Sequence, residues 1–251
     1  MINLKHLLLS AAIAATSLAQ AASFDGSQTK DIKDIVHQYL MDNPEVLVEA
    51  SQAYKSKQMS HMKDKANTYI AAHKKAFFSD KTNPIAGNKK GDVTLVEFFD
   101  YQCGHCKEMA NTIHKLVKED KNLRVVFKQL PIFKGGSIVA AKAALAAVKQ
   151  HHFVAFHEAL LKAKKPLTQE NIMGIAKTAG LKVKQLKKDM GSDAIAKQIE
   201  ANTQLAQAFL QDSVGYVFTP IFVVANQSGS KFQFIPGGLD YANMKKIIQD
   251  V

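Results

Sequence analysis

The stretch VTLVEFFDYQCGHC, residues 93–106, decides the fold. It opens with the near-continuous apolar run Val93–Phe99, whose length and β-branched start predict a strand buried on both faces. A helical pattern begins after Cys103, with Cys106 and later apolar residues on one side. The two cysteines of the chain therefore stand where a central strand is predicted to turn into a helix.

The residues that follow extend this unit. Leu123–Phe127 predicts a second strand, and strand, helix and strand at this spacing predict a βαβ unit with parallel strands and a right-handed crossover. Residues 137–214 have a helical pattern, which Pro166, Gly180 and Gly191 divide into four or five helices.

The chain closes with two strands and a helix. Ile221–Val224 and Lys231–Ile235 predict a hairpin, and Tyr241–Val251 predicts a short helix. The predicted fold class is therefore α/β, with an all-helical insertion at about 137–214 between a βαβ half and a ββα half.

The residues before this unit predict two helices. One carries a single apolar stripe, made by Ile32, Ile35, Val36, Tyr39 and Leu40. Asn43-Pro44-Glu45 predicts a helix restart, and the helix that follows to about Ala76 has too narrow an apolar seam to form its own core. That seam must lie either on the domain behind it or on the same helix of a second chain. Its spacing of three and four residues favours the second chain, hence a homodimer.

Breaker residues mark the predicted domain boundary. Residues 83–91, NPIAGNKKG, are typical of a linker. The helical dimerisation region and linker are thus predicted at 22–86, and the main domain at 87–251.

The first 21 residues predict export. Lys5 and His6 precede the apolar run Leu7–Leu18, and Ala19-Gln20-Ala21 forms a small-x-small cleavage site. The run is shorter than the roughly 20 residues that span a bilayer, so a secretory signal peptide is favoured over a membrane anchor. The predicted location is the periplasm, an oxidising space in which thiols meet disulfides.

The charge excludes one class of partner. Lys and Arg number 33 against 22 acidic residues, giving a formal net charge of +11. Arg124 is the sole arginine, and arginine carries most bidentate recognition of phosphate and guanine, so we expect no nucleic acid partner. The lysines predict a solvated basic surface or, alternatively, peripheral attraction to an anionic membrane.

Three kinds of chemistry fit Cys103-Gly104-His105-Cys106. A structural disulfide would close a loop of four residues and add only about 2 kcal/mol on the chain-entropy model. A zinc site usually needs four ligands, and the chain has no second Cys pair and no His-x₃₋₅-His pattern beyond the isolated His151, His152 and His157, so we expect no metal. A redox dithiol is favoured, because a helix N-terminus stabilises a thiolate at Cys103 and His105 can add charge or a donor.

The run Glu97-Phe98-Phe99-Asp100-Tyr101-Gln102-Cys103-Gly104-His105-Cys106 resembles the active-site segment of DsbA-type thiol–disulfide oxidoreductases, which belong to the thioredoxin superfamily. The resemblance covers roughly residues 88–251 and implies a thioredoxin-like fold with an inserted helical domain. Two further positions match the pattern. Glu97 corresponds to a buried acid beside the dithiol, and Thr219-Pro220 to the cis-proline loop that faces the nucleophilic sulfur.

The resemblance implies a role for each residue. Cys103 is the exposed nucleophile, Cys106 resolves the mixed disulfide, and Glu97 relays the proton of Cys106. Thr219 and Pro220 bind an extended client peptide together with Gly104, and Gly104 and His105 tune the reduction potential. No cofactor is implied beyond a redox-active disulfide between Cys103 and Cys106.

Two departures from the monomeric oxidases widen the expected function. Those proteins often have valine where this chain has Thr219, and they lack the helices before residue 80; both features resemble the dimeric isomerases. We expect an enzyme that introduces disulfides into unfolded or misoxidised exported proteins and also isomerises them, coupled to a membrane redox partner. The alternatives are a holdase-like chaperone with an incidental dithiol and a metal carrier.

Overall fold

The structure, a computed structural model, describes residues 24–251. The predicted signal peptide, residues 1–21, lies outside the described residues. The chain divides into two compact units, one ending at Ser56 and the other spanning Lys57–Val251.

Two helices begin the described chain and confirm the predicted restart. Helix α1 spans Gly26–Asp42, and Asp25 caps it by accepting a 2.8 Å hydrogen bond from the Gln28 backbone N–H. Helix α2 spans Glu45–Ala72 and begins directly after Pro44. The apolar stripe of α1 is exposed to solvent: Ile35 keeps 67% of its surface accessible and Tyr39 keeps 55%.

The predicted boundary at residues 86 and 87 differs from the structure, which divides the chain after Ser56. Ala66 and Ile70 of α2 are fully buried, and so is Phe77 of a π-helical turn at Lys75–Ser79. They pack in the same apolar cluster as Phe98 of the central strand. The stretch from residue 57 onward thus belongs to the core of the main domain, since its few apolar residues fall on one inward face.

A five-stranded sheet organises this domain in the order β1-β3-β2-β4-β5. The strands are β1 (Ile85–Gly87), β2 (Val93–Phe99), β3 (Leu123–Gln129), β4 (Ile221–Asn226) and β5 (Phe232–Pro236). Strands β2 and β3 are parallel, as predicted, and the other neighbours are antiparallel. Strand β1 is an addition to the prediction, because it lies within the presumed linker.

Helices cover the sheet and fill the insertion. Helix α3 (Gly104–Glu119) connects β2 to β3, and α9 (Tyr241–Asp250) ends the chain. Five helices form the predicted insertion: α4 (Gly136–Val148), α5 (Phe153–Leu161), α6 (Gln169–Thr178), α7 (Val183–Met190) and α8 (Asp193–Ser213). Among residues 24–251, no helix combines the length and apolar character needed to cross a membrane.

Alternation along β2 decides which face each side chain enters. Leu95 and Phe99 pack in the cluster that contains Cys106, whereas Val96 and Phe98 pack in the cluster on the other face. Because successive strand residues point to opposite faces, Glu97 lies on the face of Leu95 and Phe99. The sheet thus brings a buried acid to the side of the cysteines.

Candidate active site

The two cysteines lie at the predicted strand-to-helix junction. Cys103 is the N-cap residue of α3, and its backbone N–H donates to the Asp100 carbonyl at 3.2 Å. Cys106 lies in the first turn of α3 and is fully buried. Both are free thiols in this structure.

A residue that sequence reasoning missed holds this junction in place. The buried Asp100 carboxylate accepts hydrogen bonds from the Gln102 backbone N–H at 2.7 Å, the Ser137 hydroxyl at 2.6 Å and the Phe133 backbone N–H at 3.1 Å. It therefore ties the cysteine loop to the start of α4. An aspartate placed directly after a buried strand and two residues before a loop N–H was the available signal, since such residues form Asx turns.

Cys103 is less exposed than predicted. Only 5% of its surface is accessible, and its thiol donates a 3.3 Å hydrogen bond to the Thr219 carbonyl. The peptide bond between Thr219 and Pro220 is cis. The expectation of an exposed sulfur was wrong, whereas the expected approach of the Thr219-Pro220 loop to the sulfur is confirmed, and this loop covers Cys103.

The surroundings of Cys103 favour its thiolate. Its pKa is lowered to about 5, first by a hydrogen bond from the Cys106 thiol, then by the Thr219 side chain and by the backbone N–H groups of Cys106 and His105, against an opposing effect of burial. The Thr219 hydroxyl is buried and has no hydrogen-bond partner of normal geometry among the described residues. It acts as a nearby dipole that can turn to donate once the sulfur is ionised.

The pKa values of Cys106 and Glu97 are shifted in the opposite direction, upward. Burial raises the pKa of Cys106 far above its ordinary value, and the bond to Cys103 and the charge of Glu97 raise it further. Glu97 is 2% exposed, and burial followed by the charge of Cys103 raises its pKa to about 8. At neutral pH the site therefore holds one thiolate, one thiol and a carboxyl group that keeps its proton.

The side chain of His105 pairs with Glu108, and its backbone N–H supplies the donor expected at the sulfur. Its side chain is 78% exposed and its Nδ1 lies 3.0 Å from Glu108 Oε2, a pairing that raises its pKa, with the charge of Cys103 as the smallest cause. The contribution of His105 to the sulfur comes mainly from its backbone N–H. The i,i+3 spacing on α3 explains why Glu108 is reached in place of the sulfur.

A groove of about 700 Å³ adjoins the site. Thr219 and Pro220 line it together with the aromatic pair Tyr216 and Phe218. Gly104 is exposed at the first position of α3, where an added Cβ would meet no atom within 4 Å. Of the predicted binding residues, Thr219 and Pro220 therefore line this partly apolar groove, whereas Gly104 is exposed next to Cys103 without lining it.

Among residues 24–251 no group of three or more His, Cys, Asp or Glu side chains could hold a metal ion. His157 lies in the aromatic core instead, where Tyr101 Oη is 3.0 Å from its Nδ1 and burial lowers its pKa to about 3.

Comparison with known families gives two matches. The DSBA-like thioredoxin domain matches residues 94–249, and the copper resistance protein ScsC N-terminal domain matches residues 28–59. Disulfide bond formation protein D of Bacillus subtilis (strain 168) is 30% identical over 142 residues, which are 51% of this chain and 64% of that protein. The chain spans between 19% and 64% of the length of the curated relatives it matches, which include Na(+)/H(+) antiporters.

Solved structures share the fold. A thioredoxin-like oxidoreductase from Silicibacter pomeroyi DSS-3 is 34% identical with a TM-score of 0.63, and the alignment covers 70% of this chain and 95% of that one. BcfH of Salmonella enterica Typhimurium is 27% identical with a TM-score of 0.69, and the alignment covers 89% of this chain and 95% of that one.

Proposed function

Because this chain belongs to the family of DsbA-like thioredoxin domains, we propose that it exchanges disulfides with exported proteins through Cys103 and Cys106. The observation that carries the proposal is the contrast between the two thiols. One has a pKa lowered to about 5, and the other is fully buried with its pKa raised. A stable thiolate favours the reduced dithiol, so the disulfide form is an oxidant that readily passes its bond to a client.

In the oxidising direction, a client thiolate attacks Cys103 of the Cys103–Cys106 disulfide. The bond between the two enzyme sulfurs breaks, and Cys106 leaves as a thiolate that takes a proton from the Glu97 carboxyl group. A second client thiolate then attacks the client sulfur of the mixed disulfide. The client disulfide forms, and Cys103 leaves as the stabilised thiolate.

Isomerisation would use the reduced protein. The Cys103 thiolate attacks a wrong client disulfide, which gives a mixed disulfide and a client thiolate. That thiolate attacks another disulfide of the client, and the client thiolate released there attacks the client sulfur of the mixed disulfide, so that Cys103 leaves again as the thiolate. A reductant must therefore keep part of the protein in the dithiol form. Thr219 supports this activity, since its side chain helps to hold Cys103 as the attacking thiolate.

The partners follow from the surfaces near the site. We expect the groove beside Thr219 and Pro220 to hold an extended stretch of an unfolded or misoxidised client, because its aromatic lining suits apolar side chains. A membrane protein would reoxidise or reduce the dithiol in the periplasm, and the lysine-rich surface would favour an anionic membrane face.

Self-association through the N-terminal helices forms part of the proposal. The exposed apolar residues of α1 include Ile32, Ile35, Val36 and Tyr39. A solvated helix seldom keeps such a stripe uncovered, and the match to the ScsC N-terminal domain falls on the same residues. The seam of the second helix, expected to face a second chain, instead packs on the main domain, where Ala66 and Ile70 are buried. The proposed homodimer therefore rests on the stripe of α1, and the molar mass in solution tests it.

Cysteine substitutions test the exchange activity. We expect Cys103→Ser to abolish reduction of insulin and refolding of a scrambled disulfide substrate. Cys106→Ser should instead accumulate a mixed disulfide with the client, since the resolving thiol is gone. A holdase with an incidental dithiol would keep its full effect in both variants, and that result would overturn the proposal.

A further inference from the structure

A second cavity lies on the other side of α3 from the groove lined by Thr219 and Pro220, which we call the client groove. It has a volume of about 380 Å³ and is enclosed by β1, β2, β3, α3 and α5. We name it the rear cavity, and its lining consists of Ala86, Glu97, Ala110, Ile113, His114, Val117, Lys118, Phe127, Val154, His157 and Glu158. The two cavities share no lining residue.

The floor and the mouth of the rear cavity differ in chemistry. Glu97 lies at the floor and is the buried acid of the cysteine site, whereas most of the wall is apolar. His114 Nδ1 and Glu158 Oε1 pair at 2.7 Å at the solvent side, where His114 is 54% exposed. A cavity of this size has room for on the order of ten water molecules at about 30 Å³ each, and its polar groups give them partners.

Disulfide exchange at this site needs a proton path. Each turnover moves one proton between Glu97 and Cys106, so Glu97 must regain or lose a proton before the next turnover. Glu97 is nearly sealed from solvent, and a bound client would cover the face beside Thr219 and Pro220. The proton therefore needs another exit.

Resting on the function proposed above, we infer that Glu97 exchanges its proton with bulk solvent through the rear cavity, past the His114–Glu158 pair. In the oxidising direction Glu97 gives its proton to the Cys106 thiolate and is reprotonated by water from the rear cavity. In the reverse direction the Glu97 carboxylate takes the proton of the Cys106 thiol and releases it there. The client and the proton thus use different faces of the protein.

The charged surroundings of Glu97 are consistent with this exit. Cys103, Cys106 and Tyr101 interact electrostatically with Glu97, and the titratable groups that line the rear cavity with it are His114, Lys118, His157 and Glu158. His157 is held neutral because burial lowers its pKa to about 3, and Tyr101 stays protonated because burial raises its pKa. The His114–Glu158 pair lines the same cavity as Glu97 and is partly exposed to solvent.

Filling the rear cavity tests the inference. Ala110→Leu adds apolar volume on α3 beside Glu97, and Asn111→Leu adds the same side chain at the next, exposed position of the same helix. The measured quantity is the rate at which Cys106 displaces a coloured aromatic thiol from Cys103, followed between about pH 5 and about pH 9. The midpoint of the pH dependence of this rate reports the ionisation of Glu97.

We expect Ala110→Leu to move this midpoint upward by about one pH unit, since expelling water disfavours the carboxylate. Asn111→Leu should leave the midpoint unchanged, and Ala110→Leu should have no further effect in a Glu97→Gln background. Val154→Phe fills the same cavity from α5 and replaces Ala110→Leu if that variant does not fold.

An unmoved midpoint in a folded cavity-filling variant would overturn the inference. Failure of the proposed function looks different, because Cys103 would then form no mixed disulfide with clients in any variant, including the wild type.

Discussion

The Cys103 thiol donates a 3.3 Å hydrogen bond to the Thr219 carbonyl, which joins the N-terminus of α3 to a loop 116 residues further along the chain. The hydroxyl of the same residue is buried and has no hydrogen-bond partner of normal geometry in the described chain, so it is free to donate to the sulfur once the thiol has lost its proton. Thr219 thus contacts the thiol through its carbonyl, and its side chain lowers the pKa of Cys103, so a residue of the groove lining acts on the reactive sulfur.

Removing the Thr219 hydroxyl should weaken the thiolate. We expect Thr219→Val to raise the pKa of Cys103 by about one unit, because the side-chain dipole that favours the charged form is lost. Thr219→Ser keeps a hydroxyl and should retain a pKa near 5. The absorbance of the thiolate as a function of pH measures both, and equal values for Val and Ser would contradict the role given to the hydroxyl.

Glu97 should make the stability of the protein depend on pH. Burial raises its folded pKa to about 8, above the unfolded value of about 4.3, so the folded state loses stability as the pH rises through this interval. Glu97→Gln removes that loss. Its gain in the free energy of unfolding should be near zero at about pH 4 and several kcal/mol at about pH 9.

Urea unfolding of the oxidised protein measures this gain without interference from the Cys103 thiolate. Glu49→Gln, at an exposed position of α2, serves as the control and should show no pH-dependent difference. A constant difference between Glu97→Gln and the wild type at all pH values would refute a raised pKa.

The buried Lys128 gives a prediction on the opposite face of the sheet. It is 1% exposed, and its Nζ lies 3.6 Å from Asp80 Oδ2 and 3.4 Å from Asn202 Oδ1. Burial lowers its pKa to about 8. We expect Lys128→Met to be neutral or to stabilise by about 1–3 kcal/mol at neutral pH, because a buried charge is replaced by an apolar chain of similar length.

The partner substitution should behave differently. Asp80→Asn leaves the Lys128 ammonium buried without a counter-charge and should cost about 3 kcal/mol. Chemical denaturation of both variants checks the pair. A large decrease in the free energy of unfolding of Lys128→Met, with none in Asp80→Asn, would show that the lysine itself, rather than the balance of charge, stabilises this site.

Truncation should separate the two units at Ser56. Removal of residues 22–56 should leave a cooperatively folded domain that still exchanges disulfides. Its assembly in solution should have a lower molar mass than that of the full chain. Removal of residues 22–79 also deletes Ala66, Ile70 and Phe77 from the core, where Phe77 contacts Phe209 with ring centroids 5.4 Å apart. We expect that longer truncation to prevent folding, which circular dichroism and sedimentation would report.

Much of this fold is predictable because its signals are local. The apolar run of β2, the breaks at Pro166, Gly180 and Gly191, and the Asn43-Pro44 restart each lie within a few residues of the boundary they mark. Strand β1 lacks such a signal, since it has three residues and forms only by pairing with the edge of β3. The domain boundary was misplaced for a related reason: the buried residues of α2 look like the exposed ones before them.

The features of the candidate site also separate into those that have a signal in the sequence and those that do not. The cysteine spacing and the helix N-terminus follow from the sequence near them, whereas the buried acid at Glu97 follows from the family resemblance. The family resemblance also places the Thr219-Pro220 loop beside Cys103, but it does not show how far that loop buries the sulfur or that His105 pairs with Glu108. The degree of burial and the choice among nearby partners require coordinates.

The central claim is that Cys103 is held as an anion at neutral pH. The direct measurement is the pH titration of its thiolate absorbance in the reduced protein, with Cys103→Ser as the blank. We predict a pKa of about 5, so that the signal is fully developed by about pH 7. A midpoint near the ordinary cysteine value of about 8.5 would contradict the account.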